Sequence, residues 1–466
     1  MAQHFLGGWE MSFCGLKAVL LACSGIGAFL AATVDANAGG LAVHEQSAYG
    51  QGTSFAGIAA GGDLSGMFWN PAVMTQFAGI QSSVSTSVIF PYASNSPSAG
   101  SIYVGLPYAY GGTSNTGNAA LVPSVYFSYQ LNPNLWLGMS VNSPFGLSVS
   151  FPELWAGRDY AAGTSNLTTY NATPSVAYRI NDWISVGAGV QIQYAKMAFD
   201  HGVTVPVPCP CPPSPGFAPV GDAYLSTNGW GYGFTAGITL TPTSATTIGL
   251  GYRSGIDQKF SGTLAVPTSL TTIGSFPASL TVNAPGILSL GVRQRIDPRW
   301  TLLGTVEWTN WNRIGTSVIS GPPLTVVPAA ALNLPFQYQD GWLFSVGAEY
   351  IASDRLTLRT GVGYEISPVT DQVRTPLIPD NDRFWASVGA SWKIGMGITA
   401  DLAYSHLFVR STPINISASS GNPWFATTGG VTYIGSVESH VDILSIGVKY
   451  RWDEPAAPVK TGLITK

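Results

Sequence analysis

Charge is what this sequence has least of. Its 466 residues hold 20 Lys or Arg and 24 Asp or Glu, so 9% are charged, against about 25% in ordinary soluble domains. That shortage excludes a helical cytosolic enzyme of the usual composition. The formal charge of −4 offers phosphates no basic field, which excludes a nucleic-acid partner. Disorder needs low hydrophobicity with high charge, and hydrophobic types here reach 45%. Long apolar runs are also missing. Beyond Ala18–Val34 no segment reaches the roughly 18 apolar residues of a membrane helix, which excludes a helical membrane protein. A secreted β protein and a β-barrel membrane protein remain.

Lys17 precedes the apolar run, and the small residues Ala36-Asn37-Ala38 follow it. This is the pattern of a secretory signal peptide over residues 1–38, cleaved after Ala38. Met11 is the expected start, because Glu10 is out of place in a positive leader. A membrane anchor is the alternative, and the run is short for one. A lipoprotein box at Leu20-Leu21-Ala22-Cys23 lies too close to Lys17 to leave room for an apolar core. Cleavage leaves two cysteines, Cys209 and Cys211, in a proline-rich loop. A local disulfide suits an oxidising compartment, whereas a metal site needs more ligands than this spacing supplies. No cofactor is called for.

What is present is period-two alternation. Val186, Ala188, Val190, Ile192 and Tyr194 face one way; Ser185, Gly187, Gly189, Gln191 and Gln193 face the other. The grammar recurs from Trp230 to Leu240, Phe344 to Tyr350, Phe384 to Trp392 and Leu444 to Trp452. The apolar faces begin or end in aromatics, as in the girdles of a barrel at the two membrane interfaces. The opposite faces carry Gly, Ser and Thr with an occasional Glu349, Arg359, Lys393 or Lys449. On a soluble sandwich those faces would be the outside and much richer in charge.

Tight turns are expected at Asn132-Pro133-Asn134, Asn181-Asp182, Pro242-Thr243, Asp297-Pro298, Ser353-Asp354 and Gly395-Met396-Gly397. Longer Gly/Ser/Pro/Asn-rich stretches lie near 91–120, 151–170, 200–229, 261–286, 312–340, 366–382 and 408–438. Six short turns and seven long loops join 14 strands, an even number with both ends on the periplasmic side. The fold expected is an all-β, 14-stranded antiparallel transmembrane barrel over 80–452. A barrel this wide is open unless filled, and residues 39–79, which lack alternation, are the expected plug or hatch. Residues 453–466 read as a periplasmic tail.

Gly40-Leu41-Ala42-Val43-His44-Glu45-Gln46-Ser47-Ala48-Tyr49-Gly50 and Phe68-Trp69-Asn70-Pro71-Ala72 resemble the FadL-type long-chain fatty acid transporters of Gram-negative outer membranes. So do the stretches Pro174 to Asn181, Leu250-Gly251-Tyr252-Arg253-Ser254 and Pro379-Asp380-Asn381-Asp382-Arg383-Phe384-Trp385. The resemblance runs from about residue 39 to 452. It implies capture of a hydrophobic ligand by the outer loops, a pocket inside the barrel, a shift of the hatch, and sideways exit through the wall. Asn70, Pro71 and Ala72 match the hatch motif, where Asn bonds and Pro stiffens a turn. Asn142, Pro144, Phe145 and Gly146 interrupt the third strand, where proline cannot donate and pairing should fail. They match the lateral opening.

The family's basic residues inside the barrel meet a ligand carboxylate, and their places here align with His201 and Gln339. An imidazole and an amide favour neutral aromatic or aliphatic hydrocarbons over fatty acids, although Arg383, Lys196 or Arg158 would still serve a carboxylate. Glu365, Asp382 and Arg383 complete the expected lumenal pocket. Glu349 and Arg359 read as a strut. The implied partners are the hydrophobic passenger and the outer-membrane lipid, lipopolysaccharide or detergent around a monomer. A diffusion porin is the alternative, tested by liposome swelling with sugars. A hydrolase using Ser405, His406 or His440 and Asp442 is another, tested on lipid and ester substrates.

Overall fold

The computed structural model describes residues 41–103, 106–107, 111–207, 216–269, 272–325 and 327–452. The leader over 1–38, Cys209, Cys211 and the tail over 453–466 lie outside the described residues. The chain forms a closed, 14-strand antiparallel barrel. Its strands are β1 (Ile80–Pro97), β2 (Ala120–Asn132), β3 (Leu135–Asn142 and Gly146–Phe151), β4 (Gly163–Arg179), β5 (Ile184–Val207), β6 (Gly216–Thr243) and β7 (Thr246–Arg253 and Ile256–Ser269). There follow β8 (Thr272–Ala284 and Ile287–Arg295), β9 (Trp300–Thr309), β10 (Gly341–Ile351), β11 (Leu356–Ile366), β12 (Arg383–Gly395), β13 (Ile398–Val409 and Thr412–Ile416) and β14 (Tyr433–Arg451). Closure comes from β1, which pairs with β14 from Gln81↔Arg451 to Pro97↔Gly435 and with β2 from Ile80↔Tyr129 to Ile89↔Ala120. No sheet edge is left for lipid.

The alternation holds along the wall. Val84, Phe90, Val346, Phe344, Leu444 and Ile446 are exposed on the outside, while Ser83, Ser85, Ser345, Ser445 and Gln191 are buried on the inside. The turns fall where expected, except that the one near Pro242-Thr243 is displaced to Ser244-Ala245. Two stretches expected as loops, 200–229 and 261–286, are instead mostly paired. The β5–β6 hairpin continues to Val207↔Gly216 and the β7–β8 hairpin to Ser269↔Thr272. Gly, Ser and Pro made both look like loops. Pro219 and Pro267 lie beside register shifts, at Val203/Thr204 and Pro267/Ser269, where a missing donor does least harm.

Residues 41–79 lie inside the barrel. They form short helical turns at Ala48–Gln51, Ile58–Ala60, Leu64–Phe68 and Pro71–Gln76, three of them capped by the side chains of Ser47, Asp63 and Asn70. This inner segment sits against glycines of the wall. A Cβ on Gly237 would collide with Asn70 Oδ1, and one on Gly251 with the Trp69 carbonyl. These lumenal glycines are thus notches for the inner segment, which accounts for their place in the alternating pattern. Ionic struts hold the periplasmic half. Lys449 Nζ lies 2.8 Å from Asp63 and 3.0 Å from Asp401. Arg359 Nε lies 3.1 Å and Arg293 Nη2 2.5 Å from Glu349, which also accepts from the Tyr49 hydroxyl. The expected Glu349–Arg359 strut therefore also ties the inner segment to the wall.

Candidate functional site

The third strand breaks at Ser143-Pro144-Phe145. The ladder between β2 and β3 runs from Asn132↔Leu135 up to Val125↔Val141 and stops. Further out, the next links across this seam are the Gly117↔Val149 bridge and Asn118, whose backbone N donates to the Ser148 carbonyl at 3.3 Å. On its other flank β3 stays joined to β4, with three residues facing two between Asn142↔Asn171 and Gly146↔Thr168. This is a bulge built on a proline.

The inner segment takes up the groups that the break releases. Val43 N donates to the Pro144 carbonyl and Gly146 N to the Leu41 carbonyl, both at 2.9 Å. Gln46 Nε2 donates to the Ser143 carbonyl at 2.7 Å, and Gln46 Oε1 accepts from Ser143 N at 3.2 Å. From β2, the hydroxyls of Ser124 and Tyr126 donate to the Gln46 carbonyl at 2.8 and 2.7 Å. Residues 41–46 therefore back the seam from inside.

Leu41 and Phe145 also wall an apolar pocket shared with Met197, Phe260, Trp311 and Phe336, with Gln193 and Gln258 among its lining. Its free volume is about 30 Å³, one water's worth, so an organic guest has to spread the walls. Farther out, a cavity of about 140 Å³ is lined by Tyr160, Leu264, Val327 and Trp424, among others. Trp424 stands 5.9 Å from the Phe336 ring, which links the two spaces.

A charged layer lies beside the inner segment. His44 Nε2 is 3.0 Å from Glu307 Oε1. Burial alone would lower the His44 pKa, but the Glu307 bond, with Glu365 and Glu45 close by, raises it to about 9. Burial pushes the Glu45 carboxyl up to about 7, against the pull of His44. Trp385 Nε1 donates to Glu365 at 3.0 Å, and Arg383 joins Glu365 at 3.5 Å and Asp380 by a close ion pair.

The residues expected at the site separate into several places. Asn70 caps the turn that begins at Pro71, accepting from Ala72 N at 3.0 Å and donating to the carbonyls of Ala59 and Ile238. Asn142 lies at the seam, 2.8 Å from the Tyr126 hydroxyl. Glu365 and Arg383 are buried inside. His201 lines the outer cavity and not the inner pocket. Gln339 does not enter the lumen: it is exposed, and its amide donates to the Ser367 carbonyl at 3.0 Å. Tyr338 beside it is the buried residue, and the inward phase of the strand is set only from Gly341 onward. Asp382 is half-buried, accepting from the hydroxyl of the exposed Tyr364, and so belongs to the outer face.

His406 and His440 do approach, at 5.8 Å between rings, with Asp442 2.8 Å from His406. Ser405 points the other way, buried against the Ser387 hydroxyl at 2.7 Å, so this set does not form a nucleophilic triad. Arg253, which stands out in the sequence only as part of a motif, is a buried residue of the lumen.

Residues 29–452 match the family model described as outer membrane protein transport protein (OMPP1/FadL/TodX). The chain belongs to this family. It is an outer-membrane barrel, and the family is one of transport channels rather than enzymes. A long-chain fatty acid transport protein of Salmonella typhi is 28% identical over 429 residues, covering 84% of this chain and 93% of the relative. Among solved structures, a Pseudomonas aeruginosa FadL homologue superposes with a TM-score of 0.77 at 24% identity, covering 89% of this chain and all of the other. The Pseudomonas putida toluene transporter TodX gives 0.61 at 16% identity, covering 89% and 99%. At those identities the likeness is one of fold.

Proposed function

We propose that this chain is a passive outer-membrane channel for hydrophobic small molecules, either fatty acids or neutral aromatic and aliphatic hydrocarbons. The substrate range is that of the relatives, described as transporters of long-chain fatty acids or of toluene. In this reading the outer cavity captures the ligand, and the apolar pocket receives it when Leu41 and Phe145 part. Withdrawal of residues 41–46 then opens the seam between β2 and β3 to the bilayer. The last step needs no energy source, since apolar surface moves downhill into lipid. One chain closes the barrel, so the proposed working unit is the monomer, with lipid and lipopolysaccharide as its surroundings.

The observation that carries the proposal is the double role of Leu41 and Phe145, which wall the pocket and lie at the antiparallel bridge Ala42↔Phe145 that joins the inner segment to β3 beside the seam. A cross-link at that bridge tests it. With Cys209 and Cys211 replaced by Ser, the pair Ala42→Cys and Phe145→Cys stands at a non-hydrogen-bonded site, about 4.5 Å between Cα atoms. Oxidation is expected to stop uptake of a hydrophobic probe into vesicles, and reductant to restore it. Uptake that continues at full rate in the oxidised protein would sink lateral exit.

The preference for neutral passengers rested on His201 and Gln339. Neither lines the inner pocket, so head-group selection there falls to the residues beneath it.

A further inference from the structure

Among the described residues five arginines are buried: Arg158, Arg253, Arg359, Arg374 and Arg383. Four of them hold a carboxylate, respectively Asp222, Glu349, Asp371 and Asp380. Arg253 holds only neutral groups. Its Nη1 donates to the Phe68 carbonyl at 3.0 Å, and its Nη2 to Asn171 Oδ1 at 3.1 Å and Gln191 Oε1 at 2.5 Å. Its guanidinium lies over the Phe68 ring at 4.2 Å. A buried cation without a counter-charge is costly to maintain, and a guanidinium does not relieve the cost by losing its proton.

The amides around it lead to the pocket. Asn171 Nδ2 faces Gln193 Oε1 at 3.3 Å, and Gln193 Nε2 donates to Gln258 Oε1 at 3.2 Å. Gln193 and Gln258 both line the apolar pocket. Each amide in this chain can present either a donor or an acceptor. A carboxylate entering at the glutamines would meet N–H groups, while the Asn171 and Gln191 oxygens go on accepting from Arg253.

We infer that Arg253 is the counter-charge of an anionic head-group site, reached through Asn171 and Gln193, so that the inner pocket takes amphiphiles with an apolar tail and a negative head. This rests on the transport reading and specifies its substrate class. The site differs from the two positions that align with the family's ligand-binding cations, His201 and Gln339. Arg253 acts as a specificity-determining residue: it favours a charged head and adds nothing for a hydrocarbon.

The test is equilibrium binding of laurate, 1-dodecanol and dodecylammonium, which share a tail, to purified protein in detergent. Wild type is expected to bind laurate more tightly than dodecanol, and dodecylammonium least. Arg253→Gln is expected to weaken laurate by roughly 10-fold, the scale of a charge acting across two intervening amides rather than by direct contact, with dodecanol unchanged; Arg253→Lys should retain part of the preference. Heat-modifiable gel migration reports whether each variant has folded. If Arg253→Gln does not fold, Gln193→Leu, which cuts the amide path between Arg253 and the pocket, takes its place and is expected to weaken laurate more than dodecanol; an equal effect on both overturns the inference. Dodecanol binding as tightly as laurate, or a laurate affinity untouched by Arg253→Gln, overturns the inference while leaving the channel in place. Failure of wild type to bind any of the three removes the transport reading as well.

Discussion

Both ends of the Asn70 amide are engaged, one in capping the Pro71 turn and the other on carbonyls of the inner segment and of β6. Asn70→Ala removes a cap and strands buried acceptors, a loss of about 2 kcal/mol. Hydrogen exchange over residues 59–76 should rise in that variant while the β-ladder amides stay protected. His44 and Glu45 give the same segment a pH dependence. The folded pKa of His44 is raised from 6.5 to about 9, so its stabilisation is complete below about 6.5 and is lost as pH climbs through 9. The folded pKa of Glu45 is raised from 4.5 to about 7, so ionising it between those values weakens the fold. Both signs agree. Protection of residues 41–50, corrected for the intrinsic exchange rate, should fall from pH 6 to pH 9.5, and Glu45→Gln should abolish the lower part of that fall only. At this scale the sequence was half legible. Alternation from Phe384 places Arg383 inside and Asp382 outside, and reading the motif as one block hid that. Arg253 carried a signal too, being an inward cation beside the outward Tyr252.

Among the elements, the wall glycines and the third strand set where the inner segment can rest. The Asn70 side chain lies where a side chain of Gly237 would be, and the Trp69 carbonyl where one of Gly251 would be, so a valine at either position has to push that segment away. Gly237→Val is expected to leave the barrel folded, judged by its gel migration, but to raise the rate at which protease cuts within residues 41–79. Strand number and turns were legible because aromatic-ended, period-two runs arise in few folds besides a membrane barrel. The outer ends of β5 to β8 were not. Beyond the membrane a hairpin can continue with Gly, Ser and Pro, because water serves the backbone groups that lipid cannot. Composition there no longer separates strand from loop.

For the molecule as a whole, we expect the filled interior to decide what passes. Sugars should not swell liposomes containing the intact protein, whereas deletion of residues 41–79 should open a lumen wide enough for them; swelling by the intact protein would favour a porin. The seam in the wall also sets limits on leakage. Its released backbone groups are bonded by Leu41, Val43 and Gln46, which are not part of the wall. Were that segment to withdraw as proposed, the Pro144 carbonyl and the Gly146 amide would lose these partners, each at a cost of several kcal/mol in hydrocarbon. The proposed opening would thus carry its own restoring force. Its dwell time should last about as long as a passenger occupies it, and it has no built-in direction: the same aperture would let a hydrophobic molecule back out, so net inward flow has to be drawn by removal of the product on the inner side.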